Sequence, residues 1–329
     1  MIDLNNPELK FAVDAVRQAA SLAARVQAEM VSPALTKNDR SPVSVADYVV
    51  QALIAQQLET AFPDTQLVGE EDAGVLRAAE TATLERVAGF VATAIPAATT
   101  AQVADWIDLG TRQPSSRYWT LDPIDGTKGF LRREQYAVAL ALIEEGQVQL
   151  AALGCPNLAA AHEMQAGGPG SLVIAARDQG AWFQPLQGKG AWQSLQVSPQ
   201  SDRTRARLLR SAEAAHTDLN AMDEIAQHLG VGAEPVRMDS QAKYAVLAAG
   251  EGELLFRLIS PKMPDYKEKI WDQAAGSLIV EEAGGKITDL DGKPLNFKHG
   301  RTLAENRGVL ASNGHLHKAA LEAIRAVEA

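Results

Sequence analysis

The sequence predicts an α/β protein with an α+β N-terminal half. In the first half, two long helical patterns precede a series of apolar strands. In the second half, short strands and helices alternate from about residue 208 to residue 259, an order typical of a partly parallel sheet. A chain of 329 residues is long enough for two domains. We expect them at 1–205 and 206–329, because the polar run Ser201–Arg207 separates the two patterns.

An amphipathic helix is predicted first, with Pro7 near its start and Ser32-Pro33 at its end. Its apolar residues recur at helical spacing: Phe11, Ala15, Ala19, Leu22, Val26 and Met30. The polar stretch Thr36–Pro42 then predicts a loop or a hairpin tip. Composition leaves open whether this loop reaches an active site or is only solvated.

A second helix is predicted from about Val45 to Ala61, with Ser44 as its cap. We expect its apolar side to carry Val49, Leu53 and Leu58. Asp47 lies in its first turn, where an acidic side chain complements the helix dipole, and this role alone accounts for it. A short strand at 65–68 leads into Gly69–Asp72. The three adjacent acids there repel one another unless solvent or a cation compensates, so a solvated turn remains an alternative.

Residues from about 80 to 104 have a helical, alanine-rich pattern. Further on, Tyr136–Ile143 and Val148–Leu153 are apolar runs joined by a turn, which predicts a β-hairpin. Short strands are expected near 171–176 and 181–183. The single cysteine, Cys155, is predicted to be buried at a strand end, because no base accompanies it in sequence.

The stretch Tyr118–Phe130 carries the most distinctive chemistry. A strand is predicted to break at Pro123, leaving Asp122 and Asp125 at its carboxyl end. Carboxylates there suit a hard cation such as Mg²⁺. The backbone amides of the next two residues, Gly126 and Thr127, are placed to face an anion at a helix start.

A further acid lies near the C-terminal end, in Trp271–Gly276, which is predicted to open a helix. Asp272 is at the expected N-cap position, and capping alone accounts for a lone Asp there. A two-metal phosphatase, however, needs several carboxylates, one of them shared by both ions. Glu70, Asp122, Asp125 and Asp272 all lie at predicted strand ends or helix starts. Spacing alone leaves open whether they meet.

Composition narrows the class of partner. The net charge of −10 argues against nucleic acid or an anionic membrane as the main partner. The longest apolar run, Tyr136–Ile143, is too short to span a bilayer. The first ten residues contain Asp3, Glu8 and Lys10 and no apolar segment, so no signal peptide is expected. With one cysteine in the chain, a reducing cytoplasm is the predicted location. Composition does not indicate the oligomeric state.

Three motifs together resemble those of the lithium-sensitive inositol monophosphatase superfamily: Leu121–Phe130, Gly69-Glu70-Glu71 and Trp271–Gly285. The resemblance extends over nearly the whole chain and implies an α-β-α-β-α sandwich of two related domains. It implies that two or three Mg²⁺ ions bind through Glu70, Asp122, the Ile124 carbonyl, Asp125 and Asp272, with Asp122 shared between ions. It also implies that Asp47 and Thr127 activate the attacking water.

Within the superfamily, the strings Asp125–Arg132, Gly154–Leu158 and Asp239–Tyr244 resemble the 3′(2′),5′-bisphosphate nucleotidases of fungi and plants. This resemblance implies that Ser240, Lys243 and Arg257 bind the nucleotide away from the metal ions. The chain departs from the group's pattern at Ser211–His216, which matches its histidine-bearing loop only loosely. The sequence therefore leaves two alternatives open: His216 contacts the substrate, or it does not.

The function implied by the resemblance is magnesium-dependent hydrolysis of a small molecule, 3′-phosphoadenosine 5′-phosphate, to AMP and phosphate. The sulfated nucleotide, 3′-phosphoadenylyl sulfate, is a further expected substrate. Two alternatives remain. One is a phosphatase of the same fold that acts on inositol phosphates or sugar phosphates. The other is a non-catalytic nucleotide-binding protein, against which the complete set of matched acids argues.

Overall fold

The computed structural model describes residues 2–29, 35–36, 42–43, 45–79, 81–188, 190–211 and 219–327. The predicted cap Ser44, most of the predicted loop 36–42 and the candidate contact His216 lie outside these described residues.

The helices in these ranges follow the predicted patterns closely at the N-terminus. They are α1 (Pro7–Glu29), α2 (Val45–Ala61), α3 (Gly74–Ala79), α4 (Thr81–Ala92), α5 (Thr100–Asp108), α6 (Thr127–Leu131), α7 (Leu219–Leu229), α8 (Ala242–Ala248), α9 (Ala274–Glu282) and α10 (His317–Ala326). A short 3₁₀ turn spans Arg203–Arg205. No helix in the described ranges combines the length and the apolarity needed to cross a bilayer.

The strands are β1 (Leu35–Thr36), β2 (Pro42–Val43), β3 (Gln66–Gly69), β4 (Arg117–Asp125), β5 (Ala137–Glu144), β6 (Gln147–Cys155), β7 (Leu158–Ala159), β8 (Glu163–Met164), β9 (Ser171–Ala176), β10 (Gly180–Pro185), β11 (Gln193–Ser194), β12 (Leu208–Arg210), β13 (Val236–Arg237), β14 (Leu254–Arg257), β15 (Lys286–Thr288) and β16 (Val309–Ser312). The antiparallel pairing of β1 with β2 gives the predicted hairpin, whose tip is outside the described residues. The predicted hairpin of β5 and β6 is confirmed.

Two sheets account for most of these strands. The large sheet has the order β11-β10-β9-β6-β5-β4-β3, and its β3–β4 pair is parallel while the other pairs are antiparallel. The small sheet has the order β13-β12-β14-β16-β15, with β12 parallel to both β13 and β14. The partly parallel sheet predicted for the C-terminal half is therefore confirmed. The two sheets divide near the expected domain boundary, which itself stays a prediction.

Helices cover both faces of each sheet, and this confirms the layered α-β-α-β-α arrangement. Helices α1 and α2 pack on one face of the large sheet, and α8 and α9 pack on the other. Helix α9 also contacts β15 and β16 of the small sheet. Helix α10 packs on the outer face of that sheet and against α7.

The alternation of side chains along single strands produces these layers. In β5, Val138, Leu140 and Leu142 belong to the core beneath α1 and α2. The intervening residues of β5 belong to the core that faces α8 and α9. In β14, Leu255 faces that same central core, while its neighbours Leu254 and Phe256 face α7 and α10. The strands of both sheets therefore have nearly continuous apolar sequences, because each sheet is buried on both faces.

Two helical predictions are corrected by the packing. Helix α2 is buried around most of its circumference, not on one side, because α1, α4, α5 and the large sheet surround it. The alanine-rich region is not one helix. It divides into α4 and α5, and a capping box at Thr99 and Gln102 starts α5.

The strand predicted to break at Pro123 continues through it. Strand β4 runs on to Asp125, and one extra residue is accommodated between Asp122, opposite Ala139, and Asp125, opposite Ala137. Strand β3 ends opposite Leu121, so Pro123 lies beyond the last residue that β3 pairs with. A proline at such a bulge removes no hydrogen bond that the sheet needs. The bulge keeps both carboxylates on the strand.

His317 is a buried histidine that joins α10 to the small sheet. Its Nδ1 lies 2.8 Å from Ser312 Oγ, and its Nε2 lies 2.9 Å from Thr288 Oγ1. The Thr288 hydroxyl donates to the Asp289 carbonyl, so its oxygen accepts from Nε2 and Nδ1 is left to accept from Ser312. Burial, with a contribution from Lys286, lowers the pKa of His317 to about 4. The ring is therefore neutral in the folded protein.

The free energy of unfolding should decrease as the pH falls from 7 to 5. The unfolded histidine, with a pKa near 6.5, takes up a proton in this range, whereas the folded His317 does not until about pH 4. The expected loss is about 2 kcal/mol. Urea denaturation of wild type and His317→Gln at both pH values isolates this contribution. Equal pH dependence in the two proteins would contradict it.

Candidate active site

A cavity of about 280 Å³ contains most of the predicted site residues. The acids Glu70, Asp122, Asp125 and Asp272, which come from three separate segments, all line it. The same cavity is lined by other predicted site residues: Ile124, Gly126, Thr127, Ser240, Lys243 and Arg257. Folding thus brings together the carboxylates and the cations that the sequence places up to about 200 residues apart.

The carboxylates are close enough to oppose one another's ionisation. The pKa of Asp122 is raised well above its ordinary value, first by burial and then by the charges of Glu70, Asp125, Asp272 and Asp47. Burial also raises the pKa of Asp272, with Asp125 as the next cause. Such a group of buried like charges is unfavourable without a compensating cation.

Asp125 is held differently from Asp122. Its Oδ2 accepts a hydrogen bond from the backbone amide of Gln241, at the start of α8. Burial raises its pKa, while the charges of Lys243 and Arg257 lower it. The Gln241 side chain continues this connection, since it donates to the Trp271 carbonyl at 3.0 Å and accepts from the Gly276 amide at 3.3 Å. Buried Gln241 therefore ties Asp125 to the segment that carries Asp272.

The donor set fits a hard divalent cation. Asp122 Oδ1 is buried and has no hydrogen-bond partner among the described residues. An anionic oxygen of this kind is costly unless a cation or a proton neutralises it. Carboxylate and carbonyl oxygens are the ligands that Mg²⁺ prefers. Among the side chains that the structure describes, no three Asp, Glu, His or Cys residues have the geometry of a completed metal site.

Lys243 is a buried cationic residue that lines the cavity. Its Nζ lies 3.3 Å from Ser211 Oγ and 3.4 Å from the Met238 carbonyl, and within the described ranges no carboxylate oxygen approaches within 4.0 Å. Burial, followed by the charge of Arg257, lowers the pKa of Lys243 to about 8. An ammonium group in such surroundings has lost most of its water and gains strongly from contact with an anion.

Ser240 and Gly126 meet beside Lys243 in an unusual backbone arrangement. Ser240 has φ of 71°, which is in the left-handed region, and its hydroxyl accepts from the Ala242 amide at 3.2 Å. Gly126 has φ of 86°, and a Cβ added to it would lie only 2.8 Å from Ser240 Cβ. Strained backbone of this kind clusters at functional sites. Glycine at 126 is thus required both by its conformation and by the approach of Ser240.

Arg257 lies between two acidic side chains, Glu268 and Asp272. The guanidinium of Arg257 lies 2.9 Å from Glu268 and 3.8 Å from Asp272. Gln273 donates to Glu268 at 2.7 Å, so the Glu268 carboxylate is shared. The N-cap position expected for Asp272 is wrong, and with it the alternative that this residue only caps the helix. Helix α9 begins one residue later than that role requires, with Gln273 at its N-cap position and no side-chain cap. The Asp272 carboxylate lines the cavity instead.

The two predicted catalytic residues, Thr127 and Asp47, differ in their position relative to the cavity. Thr127 lines the cavity, and its hydroxyl donates to the Ile124 carbonyl at 3.2 Å. Asp47 is buried on the first turn of α2 and is close enough to raise the pKa of Asp122. It is not among the described residues that line the cavity.

The cavity-lining residues that the sequence argument did not predict as site residues include Ser211, Gln241 and Tyr266. Ser211 contacts Lys243, and Gln241 holds Asp125 in place. Gln241 stands next to the predicted contact Ser240, and this adjacency was the one available signal. Tyr266 lies in the polar run before Trp271, which has no periodic pattern.

Comparison with known proteins agrees with this geometry. The sequence profile of the Inositol monophosphatase family matches residues 4–329. The chain belongs to this family. It is therefore an enzyme of the phosphatase class, and its family is in general dependent on a metal ion, Mg²⁺.

Curated relatives confirm the predicted resemblance within the family. A "3′(2′),5′-bisphosphate nucleotidase" of Schizosaccharomyces pombe is 40% identical over 97% of this chain and 95% of its own length. A protein of the same name from Oryza sativa is also 40% identical, over 97% of this chain and 93% of its own length. Among solved structures, an inositol monophosphatase of Thermotoga maritima superposes with a TM-score of 0.66 over 98% of each chain. At 20% identity, that match confirms the fold alone.

Replacing Asp122 by Asn should stabilise the metal-free protein by about 1 kcal/mol or more, because it removes a buried carboxyl group whose ionisation four neighbouring acids oppose. Because the folded pKa is raised, the penalty for the Asp122 charge is largest above that pKa and diminishes as the pH falls from it towards the unfolded value. The same variant should lose most of the increase in melting temperature that Mg²⁺ causes in wild type. Differential scanning fluorimetry with and without Mg²⁺ measures both effects.

Asp289→Asn provides the matched control. Asp289 is equally buried, but it accepts from the backbone amides of Asp291 and Lys293 and from Asn306. This change should lower the melting temperature and leave the Mg²⁺ response unchanged. A Mg²⁺ response in Asp122→Asn equal to that of wild type would exclude Asp122 as a ligand.

Proposed function

We propose that this chain is a magnesium-dependent 3′(2′),5′-bisphosphate nucleotidase, which hydrolyses 3′-phosphoadenosine 5′-phosphate to AMP and phosphate. The observation that carries the proposal is the buried ammonium group of Lys243 in the same cavity as four carboxylates. A substrate with two phosphates on one nucleoside needs one site for hydrolysis and a second, cationic site for the phosphate that stays.

Glu70, Asp122, the Ile124 carbonyl, Asp125 and Asp272 are the proposed ligands of two or three Mg²⁺ ions. When bound, the ions would neutralise the scissile phosphate, lower the pKa of a water and stabilise the departing ribose oxygen. The chain's own contribution is to gather these oxygens in one cavity and to hold Asp125 through the Gln241 amide. The backbone amides of Gly126 and Thr127 are proposed to hold an oxygen of the same phosphate.

Proton removal from the attacking water is assigned to Thr127 and Asp47. The Thr127 hydroxyl donates to the Ile124 carbonyl, which leaves its oxygen lone pairs available to accept a hydrogen bond from water. For proton transfer the hydroxyl would have to rotate and donate to Asp47 instead, so that its own proton passes to the Asp47 carboxylate as the water proton passes to Thr127 Oγ1.

Lys243, Ser240 and Arg257 are proposed to bind the rest of the nucleotide. Lys243 offers a desolvated cation to the 5′-phosphate, and the adjacent hydroxyls of Ser240 and Ser211 are further polar groups of the same cavity. Arg257 is already paired with Glu268 and Asp272, so its charge also offsets the carboxylates. The high identity to relatives named bisphosphate nucleotidase supports this substrate over an inositol phosphate or a sugar phosphate.

Purified protein with Mg²⁺ should release phosphate from 3′-phosphoadenosine 5′-phosphate with a kcat/KM at least tenfold above that for 3′-AMP, and further above that for inositol 1-phosphate. The second phosphate adds a charge-assisted hydrogen bond worth about 1.5–3 kcal/mol. A colorimetric phosphate assay with the three substrates ranks them. Preference for inositol 1-phosphate would establish the alternative function instead.

Replacing Lys243 by Met removes the ammonium group and keeps much of the side-chain volume. We expect KM for the bisphosphate to rise about 10- to 100-fold, because the contact with the second phosphate is lost. The value of kcat should change much less, since the variant keeps all the carboxylates that are proposed to bind the metal ions at the 3′-phosphate. Steady-state kinetics of wild type and variant provide the comparison.

The substrate 3′-AMP is the internal control, because it lacks the phosphate that Lys243 is proposed to bind. Its kcat/KM should be nearly equal in the two proteins. If both substrates lose activity to the same extent, Lys243 does not recognise the 5′-phosphate.

A further inference from the structure

The backbone on both sides of Glu70 is bound by side chains from elsewhere in the chain. Gly69, the preceding residue, has its carbonyl bound by Arg301 Nη2. Glu71, the following residue, is bound on both its backbone groups by Gln51. Its amide donates to Gln51 Oε1 at 3.0 Å, and its carbonyl accepts from Gln51 Nε2 at 2.7 Å. Glu70 therefore lies between two fixed peptide groups.

Gln51 is built into this position. It lies on α2, is fully buried, and donates also to the Ile107 carbonyl at 2.7 Å, so its amide has a third backbone partner. Two glycines make room for it. A Cβ added at Gly69 would lie 2.5 Å from Gln51 Oε1, and one at Gly110 would lie 2.4 Å from Gln51 Nε2. Gln51 follows Asp47 by one helical turn, so both project from the same face of α2.

Arg301 connects the Glu70 turn to the segment that carries Asp272. In addition to Gly69, its guanidinium donates to the carbonyls of Gly110 at 3.0 Å and Arg112 at 3.2 Å. The same group lies over the Trp271 ring, 4.8 Å from its centroid. The Arg301 carbonyl accepts from the Ile270 amide at 3.2 Å, so its backbone is attached to that segment.

We propose that Gln51 and Arg301 are positioning residues that fix Glu70, and through Trp271 also Asp272, for metal binding. This inference rests on the proposed role of Glu70 and Asp272 as ligands of Mg²⁺. Neither residue lines the described cavity, so each acts through the backbone it holds. Hydrogen-bond partners of metal-binding segments set the orientation of the ligands, and losing one typically lowers metal affinity 10- to 100-fold.

Electrostatics alone gives the opposite expectation for Arg301. The carboxylate of Glu70 lies near enough to Arg301 to raise the arginine pKa, against the larger effect of burial. Removing this positive charge would therefore strengthen cation binding at Glu70 if charge were its only contribution. A positioning role predicts weaker binding. The sign of the change in metal affinity therefore distinguishes a purely electrostatic contribution from a positioning role.

The test measures Mn²⁺ affinity directly, from the electron paramagnetic resonance signal of the free ion, and Mg²⁺ affinity by competition. Gln51→Met and Arg301→Met should each weaken binding about tenfold. Arg301→Lys keeps the charge but not the planar group that reaches three carbonyls, and should also weaken binding. In a Glu70→Gln background, Arg301→Met should add a smaller loss than it causes in wild type, because only its effect on Asp272 through Trp271 remains.

Two matched controls lie away from the cavity. Buried Asn313 also binds two carbonyls, of Ser198 and Gln200, and accepts from the Leu316 amide. Arg177 likewise donates to a carbonyl, that of Val148, and pairs with Glu281. Asn313→Leu and Arg177→Met should lower the melting temperature and leave Mn²⁺ affinity within twofold of wild type.

Two outcomes would overturn the inference, and they are distinguishable. If Glu70→Gln weakens Mn²⁺ binding but the Arg301 variants do not, the positioning role is excluded and the metal site stands. If Glu70→Gln leaves Mn²⁺ affinity unchanged, the metal assignment of Glu70 fails and this inference fails with it. Arg301 is only half-buried, whereas Gln51 is fully buried. The Arg301 variants therefore still test the positioning role if Gln51→Met does not fold.

Discussion

Mutual repulsion among buried carboxylates is the constraint on which this site depends. Asp122 is buried beside three other acids of the cavity and Asp47, and each raises its pKa. Such an arrangement persists only if the surrounding structure holds the acids in place at a cost in stability. Here the bulge in β4 fixes Asp122 and Asp125, the Gln241 amide binds Asp125, and Arg257 lies beside Asp272.

The layered fold explains how separate segments supply these groups. The large sheet carries Asp122 and Asp125 on β4, with Glu70 directly after β3. The central helical layer brings Lys243 on α8 and Asp272 just before α9. Since α9 contacts both sheets, the central layer is rigidly packed on two sides. Cations and carboxylates therefore meet where the large sheet and the central helices adjoin.

Much of the fold was predictable because its signals are local. The spacing of apolar residues gave α1 and α2, and the hairpin of β5 and β6 follows from two apolar runs around a tight turn. Where prediction was wrong, a tertiary contact prevailed over a local preference. Pro123 did not end its strand, because β3 had already ended and the bulge absorbed the proline. Asp272 did not cap α9, because its carboxylate lies at the cavity.

The sequence by itself determined the chemistry available to this protein: which acids exist, that they fall at strand ends and before helices, and which family they resemble. Residue type and local spacing carry that information. Only the tertiary structure decided that Glu70, Asp122, Asp125 and Asp272 share a cavity with Lys243, and that Gln51 and Arg301 bind the backbone around Glu70. These contacts join residues as many as 232 positions apart. No local preference specifies them, because they arise from the packing of layers that are each buried on two faces.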